Sequence, residues 1–412
     1  MSLLDCLLNS LEYRGIDLTL ERITSLLPHL DNPHLKFPIV HVAGTNGKGS
    51  VCAYLCSILT EAGYKSGLYI SPHLVDWNER ISINKKLIPL EELTELVAQI
   101  IDLSQRESIP VTQFETITAA AWLYFAQNSV DIAVIEVGLG GRLDATNVVA
   151  NPLVTVVTSI SLDHTQQLGP ALTDIAREKS GILKPYTPVV VGQLPPDGAK
   201  VIQKRAQEIN SPISWITPAT ENMGSVKWQD LLYQLPLNGD IQLQNSALAI
   251  AVCRILSKGQ WQIPDDVIVR GIASTKWPGR LQWLNWRGKT ILVDGAHNSA
   301  SGQALRNYIN RLNRPVEWFI GMISTKDHQQ ILSNLLKKGD HLNLVRVPGH
   351  LSCDPQYLAN LAGTICPELE QIEVYGDLLE ALERADCQER LLVVTGSLYL
   401  VGYLLADQAT QS

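Results

Sequence analysis

The chain has 412 residues, 45% hydrophobic and 18% charged, an ordinary globular composition that excludes a disordered or fibrous chain. At about 150 residues per domain, the length predicts two or three domains. Lys and Arg number 33 against 41 Asp and Glu, a net charge of −8. No long basic run is present, which argues against a primary nucleic-acid or anionic-membrane binder.

Taken from the N-terminus, Met1-Ser2-Leu3-Leu4-Asp5 has no basic start and an early acid, so no signal peptide is expected. Ile39–Ala43 reads as a strand running into a glycine loop and then a helix to about Ala62. Asp131–Glu136, Leu153–Thr158 and Pro188–Val191 are further apolar strand candidates separated by helical stretches. After Trp277-Pro278-Gly279-Arg280 the alternation restarts with Thr290–Asp294, Val316–Ile320, Leu342–Arg346 and Leu391–Val394. Near-continuous apolar strands alternating with helices predict an α/β fold with parallel sheets covered on both faces. The Pro-Gly punctuation predicts two domains, 1–278 and 279–412. The uncharged run Leu391–Ala406 is shorter than the ~20 residues of a membrane span, and Thr395-Gly396-Ser397 splits it into a buried strand and a core helix.

The seven cysteines (Cys6, Cys52, Cys56, Cys253, Cys353, Cys366, Cys387) complete no zinc site and read as reduced, buried thiols. A soluble cytoplasmic protein is expected.

Chemistry concentrates where strands end. Gly44-Thr45-Asn46-Gly47-Lys48-Gly49-Ser50 follows a strand and opens a helix. Glycines let backbone N–H groups crowd around phosphates, the helix N-terminus favours negative charge, and Lys48 adds a cation. The segment departs from the common G-x-x-x-x-G-K-[ST] loop: its glycines are closer together, and Gly49 stands where a hydroxyl normally follows the lysine, so Ser50 would supply the Mg²⁺-binding oxygen. The plain alternative is a tight strand–helix turn. Glu136, ending an apolar strand, needs a partner or a metal; capping the next helix or pairing with Arg142 would also satisfy it. His164 follows the next strand, where a ligand and a structural histidine are both open. Lys179 sits in a helical stretch, where the default is a solvated or salt-bridged surface lysine. Asp294 and His297 end another strand, as site residues or as caps and turn residues.

In their order along the chain, these segments resemble the folylpolyglutamate synthase and dihydrofolate synthase family, a branch of the Mur-type ATP-dependent amide ligases. The resemblance rests on His41–Ser50, Ser71–Leu74, Glu136–Asn147, Glu178–Ile182, Trp277–Arg280 and Asp294–Asn298, and runs from about Leu20 to Gly402. At Ile241 and Thr325 the chain departs from the His and Asp common in that family. The resemblance implies a P-loop ATP-binding domain followed by a smaller Rossmann-like α/β domain, with the active site in the cleft between them. It implies that Lys48 and the loop hold ATP phosphates, and that Ser50, Glu136 and His164 bind Mg²⁺. It further implies that Lys179 is carbamylated to bind a second Mg²⁺, making Lys48, Lys179 and His297 the catalytic group. Asn245 would lie near the adenine, and Arg280 and Asp294 would be nucleotide contacts. Ser71, Pro72, His73, Leu74, Phe114, Glu115 and Thr116 would belong to the pterin-substrate site. The expected partners are ATP, L-glutamate and a dihydropteroate or folate, acting on a monomer.

Three rivals are weighed. A P-loop nucleotide switch needs a guanine-reading N-K-x-D segment, and Asn84-Lys85-Lys86-Leu87 lacks the acid. A cell-wall Mur ligase needs a further N-terminal domain, for which the residues before Ile39 are too few. A non-catalytic binding protein does not need the lysines, acids and histidines retained here.

Overall fold

The structure, a computed structural model, describes residues 2–11, 15, 18–385 and 390–411. Cys387 lies outside the described residues.

The first sheet holds eight strands: β1 (Ile39–Ala43), β2 (Ser66–Tyr69), β3 (Ile81–Ile83), β4 (Lys86–Leu87), β5 (Ile132–Glu136), β6 (Val154–Val157), β7 (Val189–Val191) and β8 (Ile213–Trp215). Their order is β4-β3-β2-β5-β1-β6-β7-β8, parallel except along the antiparallel β2-β3-β4 end. β1 lies between β5 and β6, with Val42 beside Glu136 on one side and Val156 on the other. All five of its residues are buried. Alternate side chains enter different cores, Val40 and Val42 on one face and Ile39 on the other, as the pleat requires. The Lys48–Glu61 and Ile241–Leu256 helices cover the first face, and the Leu90–Arg106 and Gln113–Gln127 helices the second. A short antiparallel meander, β9 (Thr220–Asn222), β10 (Ser225–Trp228) and β11 (Leu231–Tyr233), follows.

Beyond Thr275–Leu281 the chain builds a second sheet from β12 (Gln282–Trp286), β13 (Lys289–Val293), β14 (Val316–Ile320), β15 (His341–Leu344), β16 (Gln371–Val374) and β17 (Leu391–Thr395). Its order is β12-β13-β17-β14-β15-β16, with only β12 antiparallel. Helices again cover both faces: Ser299–Leu312, His328–Leu335 and Pro355–Ile365 on one, Leu378–Arg384 and Leu398–Gln411 on the other. The Leu391–Ala406 run is thus a buried strand and a core helix, and among the described residues no helix is long and apolar enough to cross a membrane.

The predicted strands all form, within a residue or two of their expected ends. The short or half-polar ones, β2, β3, β4, β8, β12 and β16, carry no continuous apolar run and were not expected. The cysteines are corrected in part: Cys52, Cys56, Cys253 and Cys353 are buried, but Cys366 is half-buried and Cys6 is exposed on the N-terminal helix.

Candidate active site

The C-terminal ends of β1, β5 and β6 open side by side, where ligands of open α/β sheets bind. Gly44 leaves β1 at φ +153°, and a Cβ there would stand 1.9 Å from Thr158 Oγ1. The Thr45 amide donates to the Ser159 carbonyl at 2.8 Å and the Asn46 amide to Ser159 Oγ at 2.9 Å, pinning the loop to the end of β6. Gly47, at φ +85°, is the N-cap of the next helix, and a Cβ on it would meet Asn245 Oδ1 at 2.5 Å. Lys48, Gly49 and Ser50 therefore form the first helical turn, with no side chain capping its amides. Free N–H groups at a helix start, with the dipole behind them, make an anion site.

Lys48 Nζ donates to the Thr45 carbonyl at 3.3 Å and lies 3.8 Å from Glu136 Oε1. Glu136 is buried, and its other oxygen accepts from the Ser71 amide at 3.2 Å. Burial pushes its carboxyl up, and the charge on Lys48, then the Ser71 bond and Arg280, pull it back. Neither alternative first open for Glu136 is used: Arg142 pairs with Glu178 at 2.9 Å instead. Ser50 Oγ accepts from Gln242 Nε2 at 3.3 Å, and Gln242 Oε1 accepts from Asn245 Nδ2 at 3.1 Å, so a buried amide pair backs the loop. Gln242 carried no motif of its own.

Lys179 overturns its expected surface setting. It is 5% exposed, and Nζ donates to the Gly44 carbonyl at 2.9 Å. Burial, reinforced by the charge on Lys48, pulls its pKa down to about 7.

From the second sheet, Arg280, Asp294, His297, Asn298 and Lys326 converge on the same place. Asp294 Oδ2 accepts from the Leu281 amide at 2.9 Å; burial raises its carboxyl, and Arg280 opposes that. Gly295 leaves room for Arg280, whose guanidinium would lie 2.5 Å from a Cβ there. His297 Nδ1 meets the Gly295 carbonyl at 2.7 Å, and Nε2 lies 3.7 Å from Asp163 Oδ2. Burial and then Lys326 lower the His297 pKa to about 4. Lys326 Nζ donates to Asp163 Oδ1 at 2.7 Å. Burial works against ionising Asp163, but Lys326, His164 and His297 together outweigh it and hold the carboxyl below its usual range. His164, in a left-handed conformation, places Nε2 3.5 Å from Lys326 Nζ; burial and that charge lower its pKa to about 4. Sequence reasoning assigned roles to neither Asp163 nor Lys326. Their signal was positional: each follows the C-terminal end of a parallel strand.

The proposed substrate residues divide. The Ser71–Pro72 peptide is cis, and Pro72 and Leu74 help line a largely apolar cavity of about 540 Å³ that Trp277, Pro278 and Arg280 close. His73 is occupied elsewhere, accepting from Arg80 Nε at 3.0 Å and packing on Trp77. Phe114 lies against Gly138, whose missing Cβ would be 2.4 Å from the ring. Glu115 and Thr116 are corrections. Glu115 closes a capping box with Thr112 at 2.7 Å and pairs with Arg22 at 2.9 Å, and Thr116 Oγ1 bonds back to the Thr112 carbonyl. Both are buried in the start of their helix, so neither carboxylate nor hydroxyl is free for a ligand.

No group of three or more His, Cys, Asp and Glu gathers as a metal site among the described residues. Ser50 and Glu136 still fit Mg²⁺, which takes hard oxygens, needs few protein ligands and completes its shell with water and phosphate. The His164 and Lys179 pair fits a cation only if Lys179 carries a carboxylate, whose charge would offset that of Lys326 beside His164.

A family model for the Mur ligase middle domain matches residues 42–253, and one for the dihydrofolate synthetase C-terminal domain matches residues 281–407. The dihydrofolate synthetase of Saccharomyces cerevisiae is 36% identical over 95% of this chain and 98% of its own. The dihydrofolate synthase/folylpolyglutamate synthase of Bacillus subtilis is 34% identical over 94% of each chain. Among solved structures, the bifunctional folylpolyglutamate synthase/dihydrofolate synthase of Yersinia pestis, complexed with AMPPNP and Mn, superposes with a TM-score of 0.84 at 30% identity, covering 98% of this chain and 97% of that one. On this evidence the chain belongs to the dihydrofolate synthase/folylpolyglutamate synthase family, ATP-dependent ligases built on a Mur-type middle domain.

Proposed function

We propose that the protein joins L-glutamate to the carboxylate of dihydropteroate or of a folate, using ATP. The observation that carries this reading is the meeting of cations from both sheets around the phosphate loop: Lys48 beside Glu136 from the first, and Arg280, acting on Glu136, with Lys326, bonded to Asp163, from the second. The reaction must align four anionic groups and neutralise them, and needs no covalent nucleophile. In the first step an oxygen of the pterin carboxylate attacks the γ-phosphorus and ADP leaves, giving an acyl phosphate. In the second, the glutamate amine attacks the acyl carbon, phosphate leaves with that oxygen, and the amine proton passes to a base.

Lys48 and the loop amides hold the phosphates, and Arg280 steadies charge on the transferring group. His297, kept neutral by its burial, with Nδ1 against the Gly295 carbonyl, offers the Nε2 lone pair to the amine proton, with Asp163 3.7 Å away to favour the protonated ring. Asn245 backs the loop toward the adenine, and Arg280 and Asp294, whose charges favour each other, contact the nucleotide. Ser50 and Glu136 would hold Mg²⁺, which supplies charge neutralisation at the phosphates. Lys179, with its depressed pKa, is suited to react with CO₂, which turns it into an oxygen ligand for a second ion beside His164. The apolar cavity beside Ser71–Leu74, with Phe114 nearby, receives the pterin substrate. We take residue 278 as the domain boundary, and the enzyme as a cytoplasmic monomer acting on small molecules.

The test is ADP release with dihydropteroate in one tube and tetrahydrofolate in another, with and without L-glutamate. Glutamate-dependent release in either supports the reading and identifies the acceptor. Release independent of glutamate and pterin would favour a nucleotide switch.

A further inference from the structure

One side chain on the second sheet spends more hydrogen bonds than its local role needs. Asn298 caps the Ser299–Leu312 helix, its Oδ1 accepting from the Ser301 amide at 2.9 Å. A cap needs only that oxygen. Yet Asn298 is 4% exposed, and its Nδ2 donates to Asn46 Oδ1 at 2.9 Å and to Asp163 Oδ2 at 3.0 Å. Asn46 Nδ2 donates back to Asn298 Oδ1 at 3.2 Å. Both amide hydrogens of Asn298 are thus spent on loops of the first sheet. The orientation is fixed, because turning the amide over would set Oδ1 against the Asp163 carboxylate, acceptor facing acceptor. The same carboxylate takes Lys326, and His297 is the residue just before Asn298.

We propose that Asn298 is a positioning residue for the ligation, docking the second sheet onto the phosphate loop through Asn46 and Asp163 and so placing His297 and Lys326 at the reacting phosphate. The inference rests on the functional reading above. Asn46 lies in the loop that would hold the nucleotide, so docking and nucleotide binding are coupled, each favouring the other.

Asn298→Asp separates docking from capping. Asp caps a helix as well as Asn does, but it lacks both donors and sets a second carboxylate against Asp163. The expected result is an unchanged melting temperature and a weaker ADP affinity, because docking and nucleotide binding favour each other. Hydrogen exchange should speed up at residues 295–301 and 323–328 but not at 48–61, and kcat/KM for glutamate should fall on the order of tenfold or more. In an Asp163→Asn background the same change should cost little further, since the like-charge contact is gone. Wild-type exchange and turnover in Asn298→Asp, additive losses in the double variant, or a loss that tracks a lowered melting temperature would overturn the proposal. The exchange readout needs no turnover, so it reports on docking even if the wild-type protein makes no glutamate-dependent product and the functional reading fails.

Discussion

Lys48 and Lys179 show how differently two lysines of one site behave. Lys48 keeps an anionic neighbour, Glu136, at 3.8 Å; Lys179 donates to the Gly44 carbonyl at 2.9 Å, with the Asp163 and Asp144 charges acting from further off. Replacing Lys48 by Ala should leave the fold and melting temperature intact while lowering ligation on the order of 10²–10³-fold, the loss typical of one preorganised electrostatic contact. A folded variant with near wild-type turnover would remove the phosphate role. For Lys179 the sign of the pH dependence follows from its lowered pKa, about 7 against an ordinary 10.5. Between those values the unfolded chain holds a proton that the folded one has released, so stability gained from this group rises with pH and is lost as pH falls through about 7. In CO₂-free buffer, urea unfolding of wild type should strengthen from neutral to alkaline pH more than that of Lys179→Met; equal slopes would contradict the burial of an amine there. Lys179→Ala should also be nearly inactive and partly rescued by a short carboxylic acid. Nothing in the sequence pattern distinguished this lysine from a surface residue, because its burial comes from the Gly44 turn, far away in the chain.

At the scale of elements, the strands that carry the site were legible and the reason is their burial on both faces. β1, β5 and β6 are near-continuous apolar runs, broken only by His41, the terminal Glu136 and Thr155, and each leads into the segment whose chemistry stands out. The edge strands β4 and β16 were not legible because they are short or polar, and the buried β2 and β3 were not because Ser66, Gly67 and Ser82 break up their short apolar runs. The Gln113–Gln127 helix teaches the opposite lesson. Family likeness assigned Phe114, Glu115 and Thr116 together, yet a helix turns 100° per residue, and only Phe114 faces Gly138. Glu115→Ala should therefore lose about 1.5–3 kcal/mol of stability through the Thr112 and Arg22 bonds, as read by urea unfolding, with KM for the pterin substrate unchanged. A raised KM at unchanged stability would return Glu115 to the substrate site.

For the molecule as a whole, the restart of the strand–helix alternation after Pro278 gave away a second sheet, but not what it brings to the first. Asp163 collects Lys326, Asn298 and His297 from beyond residue 278, contacts between segments far apart in sequence that no local pattern records. That joint is where the chemistry is assigned, with the carboxylate, the phosphate and the amine meeting between the halves, away from water that would hydrolyse an acyl phosphate. The most direct test of this account follows the carboxylate oxygen. With both carboxylate oxygens of the accepted pterin substrate labelled with ¹⁸O, one label should appear in the phosphate released and one should remain in the amide, because the acyl phosphate passes its bridging oxygen to phosphate when the amine attacks. Product formed with unlabelled phosphate would contradict the acyl-phosphate route and the site built around it.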